Sequence, residues 1–403
     1  MFVMMRPNSD VSTAIRVIMF SLTFIPVIFK LELLPSVFVC FYGTSAASFS
    51  PIVPTMPSYY IILIPLLYLV YNRNRKSRFC IKSLTVYAFY LICSLIHVDI
   101  PECFSWLFVC ILLGDMIKKE NDLRMLFYAF LIVSIFLSLL YIVNRSVFVY
   151  QYGVHTLGLE HSGWINPNFF GAFISAGGVL AGSYITGFLR FVRSRFLTII
   201  CIIVMILSFL VLGLNSSRGA LFSFAIPVIL MILTSKIKLH IKLIVVSIIV
   251  IAAVLMFNNN IFDLLLYRLQ DDTFETGGGR TTIWSRKLES FINESNPLTL
   301  LFGVGRTATN TIGGINVSTH NDIVTSFIGF GIIGLLLFTY YILLYPMIIA
   351  NKSAKLFICI LSIYTLVECM VLEPFFRGYV IVIMFYIFTL RYCIIQKNSH
   401  KFE

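Results

Sequence analysis

Repeated apolar runs, many of them long enough to cross a bilayer, constrain the fold of this chain more than any other feature. A helix needs about 17–25 mostly apolar residues to span the roughly 30 Å of hydrocarbon in a membrane. The runs do not alternate between polar and apolar residues, as the strands of a membrane barrel do. The sequence therefore predicts an all-α polytopic membrane protein, with residues 1–403 as a single integral membrane domain.

Composition supports the same class of protein. Hydrophobic residues make up 59% of the chain and charged residues only 12%, with a mean hydropathy of +0.93. A soluble domain carries about twice that fraction of charge. The nine cysteines are scattered and include no CxxC pair, so they predict neither a disulfide framework nor a metal site.

The apolar runs predict twelve transmembrane spans. We place them at 11–29, 57–71, 79–96, 102–117, 123–143, 167–188, 196–213, 217–234, 240–257, 323–349, 355–372 and 377–393. The first run lacks a small-residue cleavage site after its apolar core and is interpreted as a span, not a signal peptide. The proline-containing stretch 31–56 is interpreted as an interfacial or re-entrant piece.

The positions of the basic residues predict the orientation. Alternate loops and both termini carry 21 of the 30 lysines and arginines, and such loops face the cytoplasm. The net charge of +12 does not predict nucleic-acid binding, because the basic residues are divided among short loops and form no continuous soluble face. We expect both termini to be cytoplasmic.

Two longer loops and several arginines fall on the outward, periplasmic side. The loops are 144–166 and 258–322, and the larger one is predicted to carry the active site. Arg218 lies in a tight turn between two apolar runs, and Arg280 follows three glycines, which let a backbone approach a ligand closely. The planar guanidinium of arginine matches phosphate oxygens. The alternative is contact with lipid headgroups or pairing with nearby acids: Asp263, Asp271, Asp272, Glu275, Glu289 and Glu294.

His320, followed by Asn321, is the candidate general base. Histidine can take a proton from an attacking hydroxyl at neutral pH, although a single histidine at a membrane interface is more often structural. Glu160 is an alternative base or a partner for an arginine. No ligand spacing indicates a zinc site, and the sequence has no phosphate-binding loop or dinucleotide fingerprint. A glycosyl donor would therefore arrive already attached to a lipid.

Four short motifs, in order, resemble those of the bacterial O-antigen polymerase and O-antigen ligase superfamily. They are Asn166-Pro167-Asn168 opening a helix; Ser217-Arg218-Gly219-Ala220 at an outward turn; Arg280 and Trp284 followed by Asn296-Pro297-Leu298 and Gly303-Val304-Gly305; and His320-Asn321 followed, nine residues later, by Gly331-Ile332-Ile333-Gly334. The resemblance covers about residues 150–340, while the first 140 residues are similar to the family only in hydropathy.

The resemblance implies an inverting glycosyl transfer at the periplasmic face of the bacterial inner membrane, with no metal and no cofactor. The donor would be an oligosaccharide on undecaprenyl pyrophosphate. Arg218 and Arg280 would hold the pyrophosphate and His320 would activate the acceptor hydroxyl, all within reach of one ligand. Further substrate contacts are expected from Asn168, Glu160, Arg286, Arg306 and Asn321. Membrane lipids and a chain-length regulator protein are the other expected partners.

Three functions remain open at this point. A polymerase would join the glycan to another lipid-linked repeat unit, and a ligase would transfer it to lipid A core. The superfamily's polymerases are the more numerous and divergent members, which favours a polymerase. A lipid-linked oligosaccharide flippase would instead be expected to place charges along the middle of several spans, and beyond Glu368 few charges fall there.

Overall fold

The fold is almost entirely helical. The computed structural model describes residues 27, 30–47, 56–72, 78–97, 102–143, 148–151, 154–157, 167–189, 191–214, 217–240, 242, 279–377 and 379–399. Their helices are α1 Leu34–Ala47, α2 Met56–Asn72, α3 Arg78–Ile96, α4 Glu102–Met116, α5 Glu120–Val143, α6 Pro167–Ile185, α7 Arg195–Leu214, α8 Arg218–Thr234, α9 Arg280–Glu294, α10 Pro297–Phe302, α11 Asp322–Ile349, α12 Lys355–Val371, α13 Pro374–Arg377 and α14 Val380–Ser399.

Ten of the twelve predicted spans coincide with helices, to within a few residues at most ends. Within the described part of the chain, four helices are long and apolar enough to cross a membrane: α5, α7, α11 and most of α14. Several others are apolar but shorter. The predicted spans 11–29 and 240–257 lie almost wholly outside the described residues, so the total of twelve stays a prediction.

The predicted loop 144–166 contains an antiparallel β-hairpin, which the sequence analysis did not predict. Strands β1 Phe148–Gln151 and β2 Val154–Leu157 pair with Phe148 opposite Leu157 and Gln151 opposite Val154. The rest of this loop lies outside the described residues.

The chain divides into two compact units. The first contains Met1–Ser58 with Lys119–Gln270, and the second contains Tyr59–Lys118 with Asp271–Glu403. Among the described elements, α1, α5 to α8 and the hairpin lie in the first unit. Most of α2, with α3, α4 and α9 to α14, lies in the second.

Helix α6 is the core of the first unit. It packs against α5, α7 and α8, and all of its residues from 170 to 184 are buried. Ser134 of α5 donates to the carbonyl of Phe173 at 3.1 Å, and Ser208 of α7 donates to that of Ile174 at 3.2 Å. A Cβ at Gly177 would overlap Ser134. Small residues and hydroxyls at helix contacts are how spans associate where the hydrophobic effect between helices is absent.

In the second unit, α11 is interrupted at Gly331, whose φ of 68° and ψ of −168° are not helical. The interruption frees carbonyl groups that a continuous helix would bond internally. Val304 N donates to Ile328 O at 3.1 Å and Gly305 N donates to Gly329 O at 2.9 Å. The amides of Val304 and Gly305 therefore bond carbonyl groups that α11 leaves without an internal partner, as buried backbone requires.

Candidate active site

The segment Ser318–Asn321, which leads into α11, holds the predicted base. The Asn321 side chain caps the helix, because its Oδ1 accepts hydrogen bonds from Ile323 N at 2.9 Å and Val324 N at 3.2 Å. Asn321 is itself buried. Its side-chain oxygen is thus used in helix capping, which favours a structural role over the predicted direct contact with substrate.

His320 has a left-handed backbone, with φ of 51°, and its side chain is partly exposed. A residue other than glycine in this conformation costs about 1–3 kcal/mol and persists only where its surroundings impose it. Here hydrogen bonds hold the backbone at and before His320. Trp284 Nε1 donates to Thr319 O at 2.6 Å, and His320 N donates to the Ser318 hydroxyl at 3.3 Å. The imidazole is therefore presented from a fixed backbone.

Glu373 anchors this segment from the turn before α13. One of its carboxylate oxygens accepts a hydrogen bond from Ser318 Oγ, and the other accepts from Thr325 Oγ1 at 2.6 Å. Glu373 is fully buried and also has a left-handed backbone, with φ of 63°. The carboxylate thus ties the residues on both sides of His320 to the start of α13.

Arg306 is the cationic partner of Glu373. Its Nη2 lies 2.9 Å from Glu373 Oε1, and its side chain is only 7% exposed. The remaining nitrogens also contact protein: Nε donates to Phe376 O at 3.1 Å, and Nη1 donates to Thr309 Oγ1 and Asn310 Oδ1 at 3.0 and 3.3 Å. These contacts favour a positioning role over the predicted contact with substrate. The acid that Arg306 pairs with is not among those of the 258–322 loop.

Arg280 opens α9 beside this segment. Gly279 precedes it with φ of 81°, next to open space. Arg280 and Trp284 are four residues apart, so they share a helix face and lie about 6 Å apart along the axis. Since Trp284 donates to Thr319 O, α9 brings Arg280 toward the His320 segment. The helix N-terminus also favours anions. Arg286, further along α9, is exposed.

Lys287 is a buried cation that the sequence analysis did not single out. Its Nζ donates to four carbonyl oxygens, those of Thr309, Asn310, Ile312 and Ile315, at 2.6 to 3.4 Å. Burial lowers its pKa, but the carbonyls can only accept hydrogen bonds and so favour the protonated amine. The detectable signal was a lysine on the apolar face of α9, between Trp284 and Phe291.

Arg218 and Asn168 belong to the first unit. Ser217 caps α8, accepting a hydrogen bond from Ala220 N at 3.4 Å, and Arg218 is the first helical residue. A Cβ at Gly171 of α6 would overlap Ala220, so the start of α8 lies against the first turns of α6. Asn168 lies in the first of those turns.

The structure therefore brings the four motifs together in pairs. In the first unit, the helix turn that begins at Pro167 and Asn168 adjoins the motif at 217–220; Asn166 lies outside the described residues. In the second unit, the segment that begins at Arg280 adjoins the motif that begins at His320. Their gathering around one ligand stays a prediction. Glu160 lies outside the described residues.

The long apolar helices are those of a multi-pass membrane protein. Residues 203–339, about a third of the chain, match the family model described as O-antigen ligase, and the match includes Arg218, Arg280 and His320. It confirms the resemblance to the O-antigen polymerase and ligase superfamily, a family associated with glycosyl transfer. None of the curated proteins compared with this chain matches it.

Proposed function

We propose that this protein is an O-antigen polymerase of the bacterial inner membrane. It would join oligosaccharide repeat units carried on undecaprenyl pyrophosphate, at the periplasmic face and with inversion of configuration. The main support is His320, a partly exposed imidazole on a left-handed backbone. The hydrogen bonds that fix its neighbours come from Trp284 and Glu373. A general base needs such fixed geometry before its proton affinity matters.

The proposed transfer forms one bond and breaks one. The acceptor hydroxyl oxygen bonds to the anomeric carbon of the donor sugar, while the bond from that carbon to the pyrophosphate oxygen breaks. The hydroxyl proton passes to His320, and the electron pair of the broken bond leaves with the pyrophosphate. Arg280 would stabilise that developing charge, which is electrostatic stabilisation of the transition state.

Arg218 is proposed as a second ligand of the pyrophosphate. This role rests on the resemblance and on its position as the first residue of α8, where a guanidinium and a helix N-terminus both favour an anion. Asn168, one turn before Gly171 in α6, is proposed to contact the same substrate. A chain-length regulator remains the expected protein partner.

The imidazole is the first group to test. His320→Ala is expected to lower polymer formation by about 10²- to 10⁴-fold, the usual contribution of a positioned base. Arg280→Ala is expected to lower it as well, and Arg280→Lys only in part, because lysine keeps the charge without the planar fork. The measurement is the glycan ladder on a gel, alongside the amount of each variant in the membrane.

His240→Ala serves as the matched control. His240 is exposed and lies beyond α8. The His240→Ala variant should therefore give the same glycan ladder as the unchanged protein. Normal ladders from both His320→Ala and Arg280→Ala, at normal protein levels, would exclude the proposed catalytic roles.

The ligase is the second candidate, because the matching family model is described as O-antigen ligase. Deletion of the gene separates the two functions on one gel. Loss of a polymerase leaves a single repeat unit on the core, and this is the expected result. A bare core, with lipid-linked polymer accumulating, would instead assign the protein as the ligase.

A further inference from the structure

The second unit contains a large cavity whose wall does not include the residues of the His320 segment. It lies among α3, α4, α11, α13 and α14, has a volume of about 450 Å³, and is lined mainly by aromatic and aliphatic side chains. Tyr87, Tyr90, Phe338, Tyr341 and Tyr386 form much of its wall. The volume falls in the range of about 300–1,000 Å³ found for sites that enclose small molecules.

One end of this cavity is basic. Lys82 near the start of α3, Lys118 just after α4, and Arg391 late in α14 all line it, and its wall includes no carboxylate among the described residues. The helices α3 and α4 are consecutive, joined by a short connection and packed together, so the start of one lies beside the end of the other. Lys118 also contacts the buried Asp115 at 2.9 Å.

The other end of the cavity adjoins the candidate active site. Phe375 and Phe376 line it, and their backbone amides donate to the Asp322 carboxylate at 3.0 and 3.2 Å. Along α3, Lys82 and Tyr90 are eight residues apart, or about 12 Å. The cavity therefore extends from a basic end toward α13, with an apolar wall between.

We propose that this cavity binds an anionic phospholipid. An acyl chain would lie along the tyrosines and phenylalanines, and the headgroup phosphate would contact Lys82, Lys118 and Arg391. Basic pockets between transmembrane helices on the cytoplasmic side recognise acidic headgroups in this way, and the sequence predicts that side for all three residues. The proposal stands independently of the glycosyl transfer.

The position of the cations distinguishes this lipid from the lipid-linked donor. A donor with its tail in the cavity and its phosphate on Arg391 would place its pyrophosphate at the end away from α13. The proposed chemistry needs the pyrophosphate beside Arg280 and His320. The cavity therefore suits a structural lipid whose chain contacts Phe376 and so stabilises α13.

The experiment uses the purified full-length chain, stripped of lipid in detergent. Phosphatidylglycerol or phosphatidylcholine is added back, bound lipid is counted by native mass spectrometry, and thermal unfolding is followed. Phosphatidylglycerol is expected to bind more tightly and to raise the unfolding temperature more. Arg391→Gln is expected to weaken its binding by roughly tenfold and Lys82→Gln by a few-fold, since each removes a charge-assisted contact. Phosphatidylcholine carries the same phosphate, but its choline cation offsets that charge, so each change should weaken its binding less.

Lys355→Gln is the matched control. Lys355 is exposed at the start of α12, outside the cavity and on the same predicted side of the membrane. Equal effects of Lys355→Gln and Lys82→Gln would overturn the proposal, as would equal binding of the two phospholipids. Two further results would overturn it. One is that glycerol phosphate raises the unfolding temperature as much as phosphatidylglycerol does, and the other is that undecaprenyl phosphate binds more tightly than phosphatidylglycerol. If Arg391→Gln does not fold, the lipid binding of Lys82→Gln decides the result, because Lys82 is exposed and its change should not affect folding.

Discussion

Alanine in place of Gly331 is expected to leave little or no folded protein in the membrane. At a φ of 68° and a ψ of −168°, a conformation almost restricted to glycine, an added Cβ is strained by about 1–3 kcal/mol. It would also overlap the backbone of Leu301 and Phe302. Backbone atoms cannot rotate out of the way as side chains can, so either α10 or α11 would have to shift.

Such a shift would break the backbone hydrogen bonds between the 303–305 segment and α11. Gly303 faces the backbone of Gly329 and Phe330 with no room for a Cβ, and Val304 N and Gly305 N donate to α11 carbonyls next to it. Each polar backbone group left without a partner in a membrane costs several kcal/mol. The amount of monodisperse protein recovered from membranes in mild detergent measures this effect.

Gly314→Ala is the control for a positive φ without a steric overlap. Gly314 has the same φ of 68°, but nothing lies within 4 Å of an added Cβ. It should lose only about 1–2 kcal/mol and still give folded protein. Equal yields from Gly331→Ala and Gly314→Ala would contradict the close backbone contact between α10 and α11.

The second large effect is expected from Glu373→Ala, which should destabilise the second unit by about 3–5 kcal/mol. The change leaves the buried Arg306 guanidinium without its carboxylate and removes the acceptor for Ser318 and Thr325. Thermal unfolding in detergent gives the stability. Polymer formation should fall as well, because the backbone around His320 loses this support.

A double variant identifies the cause. Glu373→Ala with Arg306→Met removes both charges and is expected to recover part of the lost stability, since an unpaired buried charge is the larger cost. Glu294→Gln is the exposed control: Glu294 accepts a hydrogen bond from Ser290 at the surface, and its change should stay within about 0.5 kcal/mol. If the double variant were less stable than Glu373→Ala, the buried ion pair would not explain the effect.

Much of the fold could be predicted because its signal is local. A run of apolar residues determines a membrane helix almost by itself, and ten predicted spans coincide with helices for that reason. The capping role of Asn321 and the partner of Arg306 could not be predicted in this way, because they depend on which residues the fold brings together. Six acids of the 258–322 loop were the expected partners of its arginines, but Arg306 pairs with Glu373, which follows two further helices.

In the candidate site, too, local motifs could be predicted but three-dimensional contacts could not. Arg280 and His320 were predicted from short motifs, but nothing in one sequence indicates that Trp284 joins them by donating to Thr319 O. A tryptophan near a membrane more often anchors the chain at the interface. Lys287 was missed because a lysine in a polar loop is normally solvated, whereas here folding surrounds its amine with carbonyl oxygens.

The pairing of Val304 and Gly305 with α11 has a consequence for how this scaffold can change. Only main-chain atoms of the four residues, Ile328 and Gly329 included, take part, so the pairing does not depend on which side chain position 304 carries. Position 305 has no such freedom, because Gly305 has a φ of 90° and an added Cβ would lie 2.8 Å from His97. The freedom to diversify and the need for glycine thus reside in adjacent positions of one short stretch.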